Sequence, residues 1–156
     1  MKEYFGKNIR LYGQTAGKTA LLIPAIKRML AVKKSHSKLL DVGCGNAYFI
    51  DIAREFGFEY SGLDISQDML DWARDEHPDG KFTLCSATDM AKHYSEKFDI
   101  ILISMLFLHF DKKEDILKTL IESKKILNPG GIVVIGNPHP CFDSYMRKKI
   151  FNQKDV

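Results

Sequence analysis

The chain has 156 residues, 45% of them apolar, and a formal charge of +3 from 23 basic and 20 acidic side chains. A domain of this size buries roughly 68–70% of the surface of its unfolded chain, so one domain suffices for a core. The weak basic balance is far from the dense cationic footprint of a dedicated nucleic-acid binder, and no apolar run is long enough to span a bilayer. Cys44, Cys85 and Cys141 are widely spaced and form no C-x-x-C pair. They read as free thiols in a reducing compartment, and with no secretory leader pattern the expected location is cytoplasmic.

Residues 1–38 read as an N-terminal helical segment. TALLIPAIKRMLAVKK (19–34) places apolar residues at helical spacing, with Pro24 at an early helical position or a kink. Residues 39–156 read as the core of the same single domain. LLDVG (39–43) is a strand, and Asn46 caps a helix over 47–56 that Gly57 ends. YSGLDI (60–65) is a second strand, and Ser66 caps a helix over 67–76 that Pro78 stops. FTLCSA (82–87) follows, then FDIILISM (98–105), apolar enough for a central strand covered on both faces. Asp111 with Glu114 forms an aspartate version of the capping box, opening a helix that runs to Leu127 and halts at NPGG before GIVVIGN (131–137). This rhythm predicts an α/β domain with a mainly parallel sheet.

Ligands of open parallel sheets bind outside the carboxyl ends of the strands. LLDVGCGNA is a strand, a tight glycine turn and a helix start, in that order. Glycine permits the turn and lets backbone N–H groups approach a ligand. A dinucleotide fingerprint G-x-G-x-x-G fails because its last position is Tyr48, and AGKT (16–19) fails as a P-loop because Tyr12 stands where glycine is needed.

DVGCGNA (41–47) resembles motif I of the class I S-adenosylmethionine-dependent methyltransferases, with Ala47 in place of the third glycine. GLDIS places Asp64 19 residues after Gly45, FDIILISMLFLHF resembles the family's fourth-strand motif, and ILNPGGIVVI resembles its fifth strand. The likeness covers residues 39–138. It implies a Rossmann-like doubly wound sheet of order 3-2-1-4-5, and S-adenosylmethionine as cofactor with S-adenosylhomocysteine as product. It further implies that Asp41 and the backbone of Gly43, Cys44 and Gly45 orient the methionyl end, and that Asp64 accepts both ribose hydroxyls. Ile65 and Met69 then lie against the adenine. Ser86 takes the place of an aspartate at adenine N6, with Asp89 the alternative, and the N–H of Ala87 or Thr88 meets adenine N1. The carbonyl around Ser104 faces the ammonium group. Tyr4, Phe5 and Tyr12 either form a lid, as in many relatives, or pack on the sheet.

Methyl transfer from a sulfonium is an in-line displacement that mostly requires positioning. A general base helps where the acceptor carries a proton, and His109 and His139 are the candidates. For His109 the competing reading is packing beside a helix start; for His139, between two prolines, it is a rigid turn. His36, His77 and His93 read as surface residues. No metal is expected, since His139 and Cys141 fall short of a zinc site. Cys44 reads as a small buried filler rather than a nucleophile.

After the fifth strand, HPCFDSYMRKKIFNQKDV offers no pair of strands, so the family's strands six and seven are expected to be missing. An apolar fifth-strand edge would then be left to a truncated chain, a homodimer or a reduced protein that binds the donor without turnover. The leading expectation is a methyltransferase acting on a small-molecule acceptor, with neither membrane nor nucleic acid as partner. A non-catalytic donor-binding protein, an RNA or protein methyltransferase and a nicotinamide oxidoreductase are the rivals.

Overall fold

The computed structural model describes residues 21–137. The expectations placed on Tyr4, Phe5, Tyr12, His139, Cys141 and the tail lie outside those residues. In chain order the elements are α1 (Ile23–Leu30), β1 (Lys38–Val42), α2 (Ile50–Glu55), β2 (Glu59–Asp64), α3 (Gln67–Glu76), β3 (Lys81–Leu84), β4 (Phe98–Ser104), α4 (Lys113–Ile126) and β5 (Leu127–Gly136). The five strands pair in parallel in the order β3-β2-β1-β4-β5, as expected from the sequence. Among the described residues, no helix is long and apolar enough to cross a membrane.

Alternation along the strands divides the core between two faces. Leu39, Ile100, Leu102 and Val134 pack with Ile26 and Leu30 of α1, Ile50 and Ala53 of α2, and Ala73 of α3. Leu40, Val42, Ile101 and Ile103 pack with Met90 and with Ile126 of α4. β4 is buried on both faces, which explains why its sequence shows no polar alternation.

Several local expectations fail. The helix after the glycine turn starts at Ile50, not at 47, and no side chain caps it at Phe49. Ala47 has φ +61, outside the right-handed helical region, so Asn46 cannot cap a continuous helix from there. The Asp111–Glu114 capping box does not form, because Lys112 occupies the cap position and no side chain bonds the first amides. By contrast, Ser66 caps α3 as expected, its Oγ accepting from the Met69 N–H at 3.4 Å. The third strand ends at Leu84, three residues before the expected 87.

NPGG does not separate α4 from the last strand; β5 begins at Leu127 and carries the motif as an irregularity. Phe98 pairs with Leu127, but Ile100 pairs with Ile132, so the extra residues bulge out of the ladder. Gly130 turns left-handed at φ +73, and the Asn128 side-chain amide donates to Asp99 Oδ1 at 2.9 Å. Asp99 Oδ2 accepts from the Lys38 N–H, also at 2.9 Å. One carboxylate thereby fixes the start of β1 and the bulge of β5.

The Lys38 N–H, followed by Asn128, holds the Asp99 carboxyl below its ordinary value. Asp99→Ala should cost about 1–2 kcal/mol in urea unfolding with an unchanged m-value. The loss should be full above pH ~4 and fade as the carboxylate protonates below it. An unaltered midpoint at neutral pH would show that the bulge holds without this anchor.

Candidate functional site

β1 ends at Val42, and the chain then takes left-handed conformations at Gly43 (φ +74) and Gly45 (φ +55). Added Cβ atoms would lie 2.8 Å from Leu106 Cδ1 at position 43 and 2.8 Å from Met69 Cε at position 45. Close approach, rather than bare backbone, is what these glycines provide. The Gly43 and Cys44 N–H groups both donate to the Leu63 carbonyl, at 2.8 and 2.9 Å, and the Gly45 N–H donates to Asp64 Oδ2 at 2.9 Å. The expectation that these amides stand open to a ligand is therefore corrected. Val42 is the last residue of β1 to pair with β2, opposite Leu63, and the turn supplies the amides that satisfy the Leu63 carbonyl.

Cys44 is buried, and its Sγ occupies the space over Gly62, 2.8 Å from where a Cβ would stand. Burial pushes its thiol well above the ordinary range, which suits a filler rather than a nucleophile.

Asp64 ends β2. Its Oδ1 accepts from the Ser66 N–H and its Oδ2 from the Gly45 N–H, each at 2.9 Å. A carboxylate has about four acceptor positions, so both oxygens keep capacity for further donors. Met69, at the start of α3, is buried with its methyl against Gly45, while Ile65 is exposed.

Asp41 lies on the face of β1 that also carries Leu39, at 1% exposure. Its Oδ2 accepts from the Tyr60 hydroxyl at 2.9 Å. Burial pushes the Asp41 carboxyl up to about 7, the Tyr60 hydrogen bond opposing this and the charge of Asp64 adding to it. Tyr60 escaped the sequence reading because a tyrosine on an inward strand position is an ordinary core residue. Its one signal was a phenol on the strand next to a buried acid.

Ser104 ends β4, buried, and its Oγ has no hydrogen-bond partner among the described residues. A Cβ at Gly136 would stand 3.4 Å from that oxygen. Beyond Ser104 the chain turns left-handed at Met105 (φ +59), whose N–H donates to the Gly136 carbonyl at 2.7 Å. His109 follows in a single 3₁₀ turn (Phe107–His109), half-buried, its N–H bonded to the Leu106 carbonyl.

After β3, the Cys85 N–H donates to the Asp64 carbonyl at 3.0 Å, which brings this segment beside the β2 tip. Ser86 Oγ lies 2.9 Å from Thr88 Oγ1 and accepts from the Thr88 N–H at 3.3 Å, and Ala87 is buried. Asp89 Oδ1 pairs with Lys92 at 3.0 Å and Lys118 at 3.7 Å, both on the surface. Asp41, Gly43, Gly45, Asp64, Met69 and Ser104 thus converge at the carboxyl edges of β1, β2 and β4. Of the remaining histidines, His36 and His93 are exposed, and His77 Nδ1 lies 3.3 Å from Arg54 Nη1. A shallow depression of about 270 Å³ lined by Asn46, Ala47, Tyr48, Asp51, Glu76 and His77 contains none of the converging residues. Among the described residues, no group of three or more His, Cys, Asp or Glu side chains is placed to hold a metal.

The family model described as Methyltransferase domain matches residues 15–150. The chain belongs to this family of methyltransferase domains. It is 27% identical over 136 residues to the Biotin biosynthesis bifunctional protein BioHC of Cellvibrio japonicus, covering 87% of this chain and 26% of that protein. It is also 27% identical over 130 residues to the Ubiquinone biosynthesis O-methyltransferase of Hydrogenovibrio crunogenus, covering 81% of this chain and 52% of that enzyme. Among solved structures, SAM-bound CalS10, an amino pentose methyltransferase from Micromonospora echinaspora, superposes with a TM-score of 0.66 at 20% identity, over 90% of this chain and 60% of that one. The chain spans about half or less of the length of these two curated relatives.

The burial of Asp41 has a measurable consequence. An acid with a higher pKa in the folded state gives that state the extra proton between the two values, so stability falls as pH rises through the window. For Asp41 the window runs from 3.8 to about 7, a decline on the order of 4 kcal/mol from this one group. Asp41→Asn should flatten the decline, read as urea midpoints at pH 5 and pH 8. Parallel slopes in the two proteins would show that Asp41 does not titrate in that range.

Proposed function

We propose that this chain binds S-adenosylmethionine at the carboxyl edge of its sheet and transfers the methyl group to a small-molecule acceptor. The observation that carries the reading is Asp64: a carboxylate fixed at the tip of β2 by two amides, with acceptor capacity left for a vicinal diol. The neighbouring residues fit the rest of such a nucleoside. Ile65 offers exposed apolar surface to an aromatic base, with Met69 buried nearby against Gly45, and the Ser86–Thr88 segment, tied to the Asp64 carbonyl through Cys85, offers polar groups beside it. Asp41 and the Ser104 hydroxyl, which has no partner among the described residues, lie at the ends of β1 and β4, where acceptors suit an ammonium group.

When bound, the sulfonium supplies an already activated methyl group. The chain has then to hold and orient its ligands, and to take a proton where the acceptor carries one. His109 is the described candidate for that proton, placed one short turn beyond the end of β4. His139 is the second candidate, outside the described residues.

Family membership supports methyl transfer over nicotinamide redox chemistry. Relatives named for biotin and ubiquinone biosynthesis, and a SAM-bound amino pentose methyltransferase of the same fold, support a small acceptor over RNA or protein. In calorimetry with S-adenosylhomocysteine, Asp64→Ala should lose about 1.5–3 kcal/mol of affinity. Asp64→Asn, which keeps one carboxyl-like acceptor, should lose less. Equal affinity in all three proteins would remove Asp64 from the site. Binding without transfer to any of a panel of phenolic and amino-sugar acceptors would favour a donor-binding protein that does not turn over.

A further inference from the structure

Among the inward-facing positions of β1, position 41 is the exception. Leu39, on the same face, joins the apolar cluster, and Leu102, opposite Asp41 on β4, is also apolar, yet position 41 carries an acid at 1% exposure. The helices covering that face bring Ile26, Leu30, Ile50 and Ala53 to it, all apolar. The titratable groups that act on Asp41 are Tyr60 and Asp64 of β2, and Cys44 of the glycine turn lies close enough for their charges to interact. Within that set Tyr60 is the hydrogen-bond donor to the carboxylate. A buried carboxylate so thinly compensated is costly, and it makes sense where a cation arrives later.

The phenol is held in position by its surroundings. Tyr60 is opposite Leu39 in the ladder, and its hydroxyl reaches along the sheet to Asp41, whose direct partner on β2 is Gly62. A side chain at position 62 would collide with Cys44 Sγ at 2.8 Å and approach Phe82 at 3.2 Å. Phe82 also meets the Tyr60 ring edge-on, with centroids 6.4 Å apart. The ring is therefore confined on the β3 side, with its hydroxyl aimed at one oxygen of the acid.

We propose that Tyr60 is a positioning residue: by engaging Asp41 Oδ2 it fixes the carboxylate and favours its anionic form, making the acid ready for a cationic group of the ligand. This rests on the function proposed above, under which that group is the ammonium of the methyl donor. Removing the phenol hydroxyl leaves packing nearly unchanged but takes away the one interaction among these that favours the anion.

The test uses the full chain and its Tyr60→Phe and Asp41→Asn variants. The Asp41 carboxyl is followed by ¹³C NMR against pH in the ligand-free protein, and S-adenosylhomocysteine affinity is measured by calorimetry from pH 6 to 8. In Tyr60→Phe the titration midpoint should rise by about one unit and affinity at pH 7 should fall by roughly fivefold, recovering as pH increases. Asp41→Asn should bind weakly with no such recovery. An unmoved midpoint in Tyr60→Phe would overturn the role of Tyr60. A moved midpoint with an unmoved affinity profile would overturn its link to the ligand. If the unmodified chain binds no S-adenosylhomocysteine at any pH, the proposed function and the ligand half of this inference fail together, while the ¹³C titration still decides whether Tyr60 governs Asp41.

Discussion

The Leu63 carbonyl accepts from two successive amides, those of Gly43 and Cys44, and the next side chain, Asp64, accepts from the amide of Gly45. Gly43, whose N–H is the first of the two, is left-handed at φ +74, a conformation open to glycine without steric penalty. Asp64 extends the connection, since its other oxygen takes the Ser66 amide, and Ser66 Oγ then caps α3 at Met69. A continuous run of hydrogen bonds therefore joins the end of β1 to the first turn of α3. The bonds to Asp64 are charge-assisted and hence the stronger ones. The acid is fixed by backbone before any ligand arrives, and preorganisation of that kind lowers the cost of binding.

Buried polar groups differ in how far the fold satisfies them. On α4, Thr119 and Ser123 are buried, but each hydroxyl donates to a carbonyl one turn back, at 2.8 Å. Glu122, at 5% exposure, accepts from the Ala91 amide at 3.0 Å, and so fixes the 3₁₀ turn (Met90–Lys92) that follows β3. These groups complete their hydrogen bonding inside the fold. At the carboxyl edge the accounting is different. Ser104 Oγ has no partner among the described residues, and Asp41 has a neutral phenol as the donor to its charge. Unmet polar capacity is thus present where a ligand would supply it, although the buried Tyr94 hydroxyl, beside Phe98 at the start of β4, also has no partner among the described residues.

The strands and the Ser66 cap were legible in the sequence because they rest on local signals: apolar runs of strand length, alternation with helices, and a hydroxyl three residues before a free amide; the strand order came from the family resemblance. The acid at the end of β2 was legible from motif resemblance. What failed required tertiary knowledge. Whether Asn46 caps depends on the φ of Ala47, and whether NPGG is a turn or a bulge depends on the register of β5 against β4. The bonding of the glycine amides to Leu63 depends on β1 and β2 being neighbours in space. Tyr60 could not be singled out because its partner lies 19 residues away in sequence, on the adjacent strand.

Ala47 shows how a motif tolerates departure. The position takes φ +61, a conformation suited to glycine, and for an L-residue it costs roughly 1–2 kcal/mol. The alanine methyl is fully buried in the cluster formed with Phe49 and Ile50, and burying one such group returns about 0.8 kcal/mol. Much of the strain is thereby offset, so alanine is admissible where the family pattern has glycine. Gly43 has no such latitude: a methyl there would meet Leu106 Cδ1 at 2.8 Å in an already packed core. At Gly45 the obstacle is instead the mobile end of Met69, on the side of the turn that faces Asp64. The three positions of one motif are thus constrained by three different things, respectively backbone strain balanced by burial at 47, core packing at 43, and clearance beside the candidate site at 45.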